Sequence, residues 1–226
     1  MLTEYHCHIL PNLDDGSDSP EMSLKMVEMM QAQGVQRIIA TPHFYAHKEK
    51  SVADYLAKRQ KAFDKIKDRL PIQDIRLGAE VAIEHGISEM KDIDQLRIPG
   101  TRIILLEFPY RAFEKWMLEE VYNITAEYNL KVMLAHVHRY LEYYSKEEIE
   151  LLLSSKSILQ LNIEAFSGGF KEKRLAKHII GNYSRLAFGS DAHNISNRKP
   201  NWDILQKKVK PEIIAVSDGM LERYSL

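Results

Sequence analysis

Seven short apolar runs rich in Ile, Val and Leu alternate with longer helix-like stretches in this chain, and nearly every run ends in a histidine or an acid. The runs are Leu2 to His8, "VQRIIATPH", "IRLGAE", "TRIILLEF", "LKVMLAH", "SILQLNIE" and "SRLAFGSDAH". Strands separated by helices pair in parallel through right-handed crossovers. Seven such units predict an α/β barrel. A doubly wound open sheet is the competing layout, but no Gly-rich dinucleotide turn follows the first run to favour it. Between the runs, Ser19, Pro20 and Gly34 bracket a helix, and Val52 to Arg69, Glu114 to Tyr128 and Lys171 to Ile180 read as three more. Ser145 and Glu148 form a capping-box pattern, and one further helix is expected after Pro200. Met22, Met26, Met29 and Met30 share one face of the first helix and read as core.

The run ends carry the chemistry. The first delivers His6 and His8, the second His43, the third Glu80, the fourth Glu107, the fifth His136, and the seventh Asp191 with His193. In β/α barrels that C-terminal rim is where active sites are built. Residues two apart on a strand share a face, so His6 and His8 point together, as do Asp191 and His193. Neutral imidazoles and carboxylates at about 2.0–2.2 Å can close a shell around a divalent ion. Asp14 or Asp15, just past the first run, can join them, and Gly16 lets the chain turn away. Nine candidates exceed one ion's needs. Two or three ions fit, with Glu80 a natural bridge. Arg139 and Arg198 belong to loops on the same rim, and guanidinium groups hold phosphate by paired, charge-assisted bonds.

Composition narrows the rest. The chain has 226 residues with 31 basic and 32 acidic side chains, a net charge of -1. That balance argues against a nucleic-acid binder. No linker or low-complexity stretch interrupts residues 1–226, so a single domain is expected. The single cysteine, Cys7, excludes an internal disulfide and fits a reducing compartment. No signal-peptide pattern or membrane-length apolar run stands out, and a cytoplasmic protein without membrane insertion is the expectation. Cys7 alternates out of phase with His6 and His8, and Leu13 stands where a cysteine phosphatase needs arginine, so Cys7 reads as packing. His47 and His85 lie in loops near the rim and are expected to be exposed polar side chains, and His178 a solvated helix residue. Tyr110, Phe113, Tyr140, Tyr143 and Tyr144 follow the fourth and fifth runs; packing or capping is their expected role, with contact to a substrate aromatic ring the alternative. "SGGF", with Gly168 and Gly169, lacks the Lys-Ser/Thr of a phosphate loop.

"YHCHILPNLDDGS", "IIATPHF", "GAEV", "LLEFP", "LAHVHRY" and "FGSDAHN" together resemble the PHP (polymerase and histidinol phosphatase) superfamily. Within it they are similar to the bacterial manganese-dependent tyrosine-protein phosphatases of capsule and exopolysaccharide operons, the CpsB/CapC type. The resemblance implies a distorted (β/α)7 TIM-like barrel with a trinuclear site. One ion would be held by His6, His8, Glu80 and Asp191. A second would share Glu80 and add Glu107 and His136. A third would take Asp14, His43 and His193. Manganese is the implied metal, with iron, zinc or cobalt as alternatives. Arg139 and Arg198 match the phosphate-binding, catalytic arginines. The implied partner is a bacterial tyrosine kinase autophosphorylated on a C-terminal tyrosine cluster.

Two positions depart from that pattern. Glu4 stands where the family commonly has Asp, and the extra methylene is expected to loosen its contact with a ligating imidazole. His138 stands where the family commonly has Glu. The expected reaction is phosphotyrosine hydrolysis by hydroxide formed from water whose pKa bound ions lower towards ~7. The alternatives are a small-molecule phosphomonoesterase of the histidinol phosphatase kind and a catalytically silent metal-containing binding module.

Overall fold

A computed structural model describes residues 1–226. The strands are β1 (Leu2–Cys7), β2 (Val35–Ala40), β3 (His43–Phe44), β4 (Asp74–Leu77), β5 (Glu80–Ala82), β6 (Ile103–Glu107), β7 (Lys131–Leu134), β8 (Ile158–Asn162) and β9 (Leu186–Gly189). The helices are α1 (Pro20–Ala32), α2 (Val52–Asp64), α3 (Lys115–Tyr128), α4 (Lys146–Ser154), α5 (Phe170–Asn182), α6 (Trp202–Lys208), α7 (Pro211–Asp218) and α8 (Met220–Arg223). None is long and apolar enough to cross a membrane.

The seven runs become nine strands because two of them break. The second splits at Thr41–Pro42 into β2 and β3, and the third at Gly78–Ala79 into β4 and β5. Pro42 has no N–H to give to a ladder, but its carbonyl accepts from Glu80 N at 3.0 Å, so pairing resumes at once. All pairings are parallel, in the orders β1-β2-β4 and β3-β5-β6-β7-β8-β9. The two orders close on each other past the end of β9, where Asp191 N donates to His6 O (2.7 Å) and His8 N to Ala192 O (2.9 Å). The result is the expected distorted seven-unit barrel. A Cβ on Gly189 would stand 2.7 Å from His6 Cβ and 2.9 Å from His6 N, so only glycine lets the last strand approach the first this closely.

Alternation sorts the side chains into two cores. Fifty-four buried residues lie in the larger cluster, which includes Met26, Val121, Leu152 and Ile179 of α1, α3, α4 and α5. Eleven more, among them Tyr5, Ile39, Leu105, Met133, Ile158 and Ala187, form a second cluster with Met220 and Leu221 of α8. Along β6, Ile103 and Leu105 join this second cluster and Glu107 continues the same face. Strand β1 breaks the rule. A register irregularity between Glu4 and Cys7 lets Tyr5 and His6 both turn inward, while Cys7 joins the larger cluster.

Helix signals held where capping chemistry set them. Ser19 accepts from Met22 N, and Ser145 with Glu148 closes the capping box. Helix α2 ends at Asp64, short of Arg69, and a separate tight turn covers Lys67–Arg69. The expected single tail helix is three, because Pro211 starts α7 and Gly219 ends it.

Glu4 does not meet the ring of His6. Its fully buried carboxylate accepts from the backbone N–H groups of His6 (2.9 Å) and Ser190 (2.8 Å) and from Trp202 Nε1 (2.7 Å). The expected loosened acid–imidazole contact is therefore replaced by a backbone clamp that ties α6 and the barrel closure to β1. Burial pushes the Glu4 pKa up, against these hydrogen bonds. Glu4→Ala strands three buried donors at about 1–3 kcal/mol each. It is expected to cost about 3 kcal/mol or more, lowering the melting temperature by roughly 10 °C. A thermal melt shifted by less than about 3 °C would show that the clamp contributes little.

Candidate functional site

Eight of the nine expected rim residues converge at the C-terminal end of the barrel. Glu80, 1% exposed, sits at their centre. Its Oε2 lies 3.0 Å from His6 Nε2, 3.2 Å from His8 Nε2 and 3.2 Å from His43 Nδ1, and its Oε1 lies 2.8 Å from His136 Nε2. Glu107 Oε1 is 3.4 Å from the same His136 nitrogen. Asp191 Oδ1 faces His6, His8 and His193 at 3.4–3.5 Å.

The ninth residue stands elsewhere. Asp14 lies behind His8: its Oδ2 accepts from His8 Nδ1 at 2.7 Å and from His43 N at 3.0 Å. The acid facing His43 Nε2 (3.3 Å) and His193 Nε2 (3.4 Å) is Asp15. Alternation could not separate these neighbours, because the chain has left its strand and folds back. At Gly16 a Cβ would meet His8 O at 2.3 Å and His8 Cβ at 2.4 Å, so the turn packs directly onto the histidine. In this arrangement Asp14 fixes the His8 ring and turns Nε2 into the cluster, as carboxylates behind ligating imidazoles do.

The donor atoms suit shared cations. Atoms bound at about 2.0–2.2 Å to one ion stand roughly 2.8–3.6 Å apart. The imidazole–carboxylate distances within the cluster, 2.8–3.5 Å, fall in that interval, unlike the shorter Asp14–His8 contact behind it. Three groups of donors each lie within 4.8 Å of one another: His8, Asp15, His43 and His193; His6, His8 and Glu80; His43, Glu80 and Glu107. His43 Nδ1 and His193 Nε2 are buried without a hydrogen bond of acceptable geometry, although each faces a carboxylate oxygen. Electrostatics agree. Burial opposes charge on His8, yet Asp14, Asp191 and Glu80 outweigh it and hold its pKa well up. Burial likewise opposes charge on His136, and hydrogen bonds to Glu107 and Glu80 raise it to about 9. Burial raises the carboxyl of Glu80, but His6 and His136 overcome it and keep Glu80 well below the usual range. Positive charge is thus favoured around Glu80, whereas burial lowers the pKa of His193.

Two site residues hold strained backbones. His136 (φ 27°) and Asp191 (φ 50°) lie in the left-handed region, at a cost of about 1–3 kcal/mol each. The strain at His136 is offset by Gln160, whose Oε1 accepts from His136 N at 2.6 Å and lies 3.2 Å from His6 Nδ1. Gln160 Nε2 donates to Asn162 Oδ1 (2.9 Å), and Asn162 Nδ2 donates to Asp191 Oδ2 (3.1 Å). The sixth run therefore delivers a hydrogen-bonding row behind the metal-type residues. It was not singled out in the sequence, yet the alternation of Gln160, Asn162 and Glu164 with Leu161 and Ile163 marks it.

Both arginines reach the rim and converge on one oxygen, Asp191 Oδ2, at 2.6 Å for Arg139 and 2.9 Å for Arg198. Arg139 also donates to Glu164 Oε1 through Nε (3.0 Å) and an Nη atom (2.6 Å). Burial works against Glu164 ionising, but His138 and Arg139 pull its pKa down to about 2. His138, 2% exposed, has its Nε2 3.5 Å from Glu164 Oε1.

Beside this rim lies a cavity of about 630 Å³ whose walls include Tyr45, Tyr110, Trp116, Arg139 and Arg198. His47 and His85 border it too, the former paired with Glu84 at 3.0 Å and the latter stacked on Trp116. Tyr110 lines the cavity with its hydroxyl 3.3 Å from His136, whereas Tyr140 and Tyr144 are buried and stacked on each other, as packing residues. Cys7 is fully buried, and burial pushes its thiol pKa well up. It is a packed thiol, not a nucleophile.

A parallel β/α barrel with a buried rim of imidazoles and carboxylates beside two guanidinium groups defines a barrel with a candidate metal centre. The family model for capsular polysaccharide synthesis, CpsB/CapC, matches residues 2–214, and the chain belongs to that family. It is 28% identical over 207 residues to the tyrosine-protein phosphatase YwqE of Bacillus subtilis (strain 168), covering 87% of this chain and 79% of that protein. It is 26% identical over 228 residues to the tyrosine-protein phosphatase CpsB of Streptococcus pneumoniae, covering 92% and 90%. A solved structure from work on YwqE and CpsB, described as unique metal-dependent tyrosine phosphatases, superposes with a TM-score of 0.80. Its identity is 22%, it covers 100% of this chain and 96% of that one, and the likeness is one of fold.

Metal analysis separates the two neighbouring acids. Asp15→Asn removes a carboxylate facing two imidazoles and is expected to lower the bound metal per chain. Asp14→Asn keeps those donors and is expected to weaken affinity by about 10–100-fold without changing the content at saturation. The reverse pattern would return the role to Asp14.

Proposed function

We propose that this chain is a metal-dependent protein-tyrosine phosphatase acting in the cytoplasm. Its proposed substrate is a bacterial tyrosine kinase phosphorylated on a C-terminal tyrosine cluster, in capsule or exopolysaccharide synthesis. The observation that carries the reading is the 2.8–3.5 Å spacing of imidazole and carboxylate donors around Glu80 and Asp191, directly beside two guanidinium groups. Family membership and the names of the relatives support the substrate class.

Two or three divalent ions suit the donor set. Manganese is the first candidate, and iron, zinc and cobalt accept the same N/O ligands. His6, His8, Glu80 and Asp191 would hold one, Glu80, Glu107 and His136 a second, and Asp15, His43 and His193 a third. Ions bound there supply Lewis acidity, lowering the pKa of water towards ~7 and offsetting charge on phosphoryl oxygens.

The chain's own residues supply the rest. Arg139 and Arg198 hold the phosphoryl oxygens by charge-assisted bonds and stabilise the charge spread over them in the loose transition state. Asp14 and Gln160 keep the His8 and His6 rings aligned. The aromatic walls of the 630 Å³ cavity receive the substrate ring. As water oxygen bonds to phosphorus and gives up a proton to solvent, the phosphorus–oxygen bond to the ring breaks, and the tyrosinate takes a proton from solvent after leaving. The departing tyrosinate, with a solution pKa of about 10, needs little help from an acid.

The test is phosphate release by metal-stripped protein, with and without Mn²⁺, from a phosphotyrosine peptide, a phosphoserine peptide and histidinol phosphate. Mn²⁺-dependent release from phosphotyrosine is expected. Arg139→Ala and Arg198→Ala are each expected to lower kcat/KM by about 10²-fold or more while bound metal is retained. Release from histidinol phosphate alone would move the activity to small-molecule monoesters. No release from metal-loaded protein would leave a silent binding module.

A further inference from the structure

We propose that a groove beside the arginines is a specificity subsite for a lysine or arginine side chain close in sequence to the phosphotyrosine. This rests on the tyrosine phosphatase reading above. The groove has a volume of about 520 Å³ and shares Tyr110 and Arg139 with the main cavity. A peptide whose phosphate lies on Arg139 therefore has the groove as its neighbour.

The lining accepts hydrogen bonds far more than it donates them. Glu142, Glu164 and Glu172 face the groove, and Arg139 is the one cation on its walls. Arg139 is already turned onto Glu164 and Asp191. Glu142 is exposed and forms no ion pair, and Glu172 accepts only from Gly169 N, at 2.7 Å. An independent observation comes from His138. It borders the groove, is 2% exposed, and its Nδ1 has no hydrogen-bond partner. Its Nε2 faces Glu164. Two carboxylates without an ion pair, beside a buried ring with an unpartnered nitrogen, favour a positively charged ligand rich in N–H donors. Ammonium and guanidinium side chains meet that description, whereas an acidic side chain meets like charge. An extended peptide advances about 3.3–3.6 Å per residue, so the residues in reach are those one to three positions from the phosphotyrosine.

The experiment uses the Mn²⁺-loaded full chain and phosphotyrosine peptides carrying Lys, Ala or Glu at each of three positions on either side. At one or more positions Lys is expected to exceed Glu in kcat/KM by about tenfold at low ionic strength, shrinking as salt screens the charges. The double variant Glu142→Gln/Glu172→Gln keeps the cap at Gly169, since Gln serves there as well as Glu. It is expected to compress the ratio to within about twofold while p-nitrophenyl phosphate hydrolysis stays unchanged. Equal kcat/KM for Lys and Glu peptides at every position, or a ratio untouched in the double variant, overturns the subsite alone. Failure of the metal-loaded protein to hydrolyse any phosphotyrosine peptide overturns the phosphatase reading and the subsite with it.

Discussion

The upper half of this barrel depends on the carboxylate of Glu80. It is buried, and an isolated buried carboxylate is among the most costly groups a protein can hold. Four imidazoles within 3.2 Å compensate it, those of His6, His8, His43 and His136, delivered by the strand runs of β1, β3 and β7. Closing the barrel therefore also brings these imidazoles onto Glu80. The lower half closes by a different force, with Tyr5, Leu105, Met133 and α8 burying hydrocarbon. The charged layer therefore rests on an apolar floor that keeps water from entering from below. Cation binding in such a layer replaces protons and feeds directly into the stability of the closed barrel.

The second level of organisation lies in β8. Gln160, Asn162 and Glu164 stand two residues apart, and each supports a different part of the rim. Gln160 secures His136 and His6, Asn162 secures Asp191, and Glu164 secures Arg139. The two strained residues, His136 and Asp191, are both held by this row. A strand without a metal-type side chain thereby sets the geometry of strands that have one.

Much of this was legible in the residues. Apolar alternation with helical spacing between runs revealed seven parallel units, because β periodicity and crossover topology leave few arrangements. The rim residues were legible because His, Glu or Asp stands at the ends of six of the seven runs, a recurrence that chance rarely produces. What escaped the sequence depended on backbone detail. The irregularity in β1 turns both Tyr5 and His6 inward, which strict alternation forbids. Pro42 and Gly78 interrupt two runs without interrupting the ring. Asp14 and Asp15 exchange expected places because Gly16 folds their turn back onto His8, and no periodicity applies within a turn. Glu4 looked like an imidazole partner, yet its carboxylate ties the strand backbone to Trp202. Gln160 and Asn162 carry no metal-binding signal, because amides bind metal weakly, and only their alternation with Leu161 marks them.

Asp191 shows how the two halves of the chemistry stay in register. Its Oδ1 faces His6, His8 and His193, and its Oδ2 faces both guanidinium groups. One carboxylate thus forms the boundary between the imidazole side and the arginine side. On the proposed function, a phosphoryl group held by Arg139 and Arg198 would lie close to the imidazole cluster, because both arginines are anchored to that boundary. Arg139 has a second anchor in Glu164, on the side away from the cluster. It is therefore the wall between the main cavity and the acidic groove. Any anion that draws Arg139 towards the cluster must compete with Glu164, and whatever cation satisfies Glu164 from the groove weakens that competition. On the proposed reading, occupancy of the groove and grip on the phosphate would be linked through this one side chain.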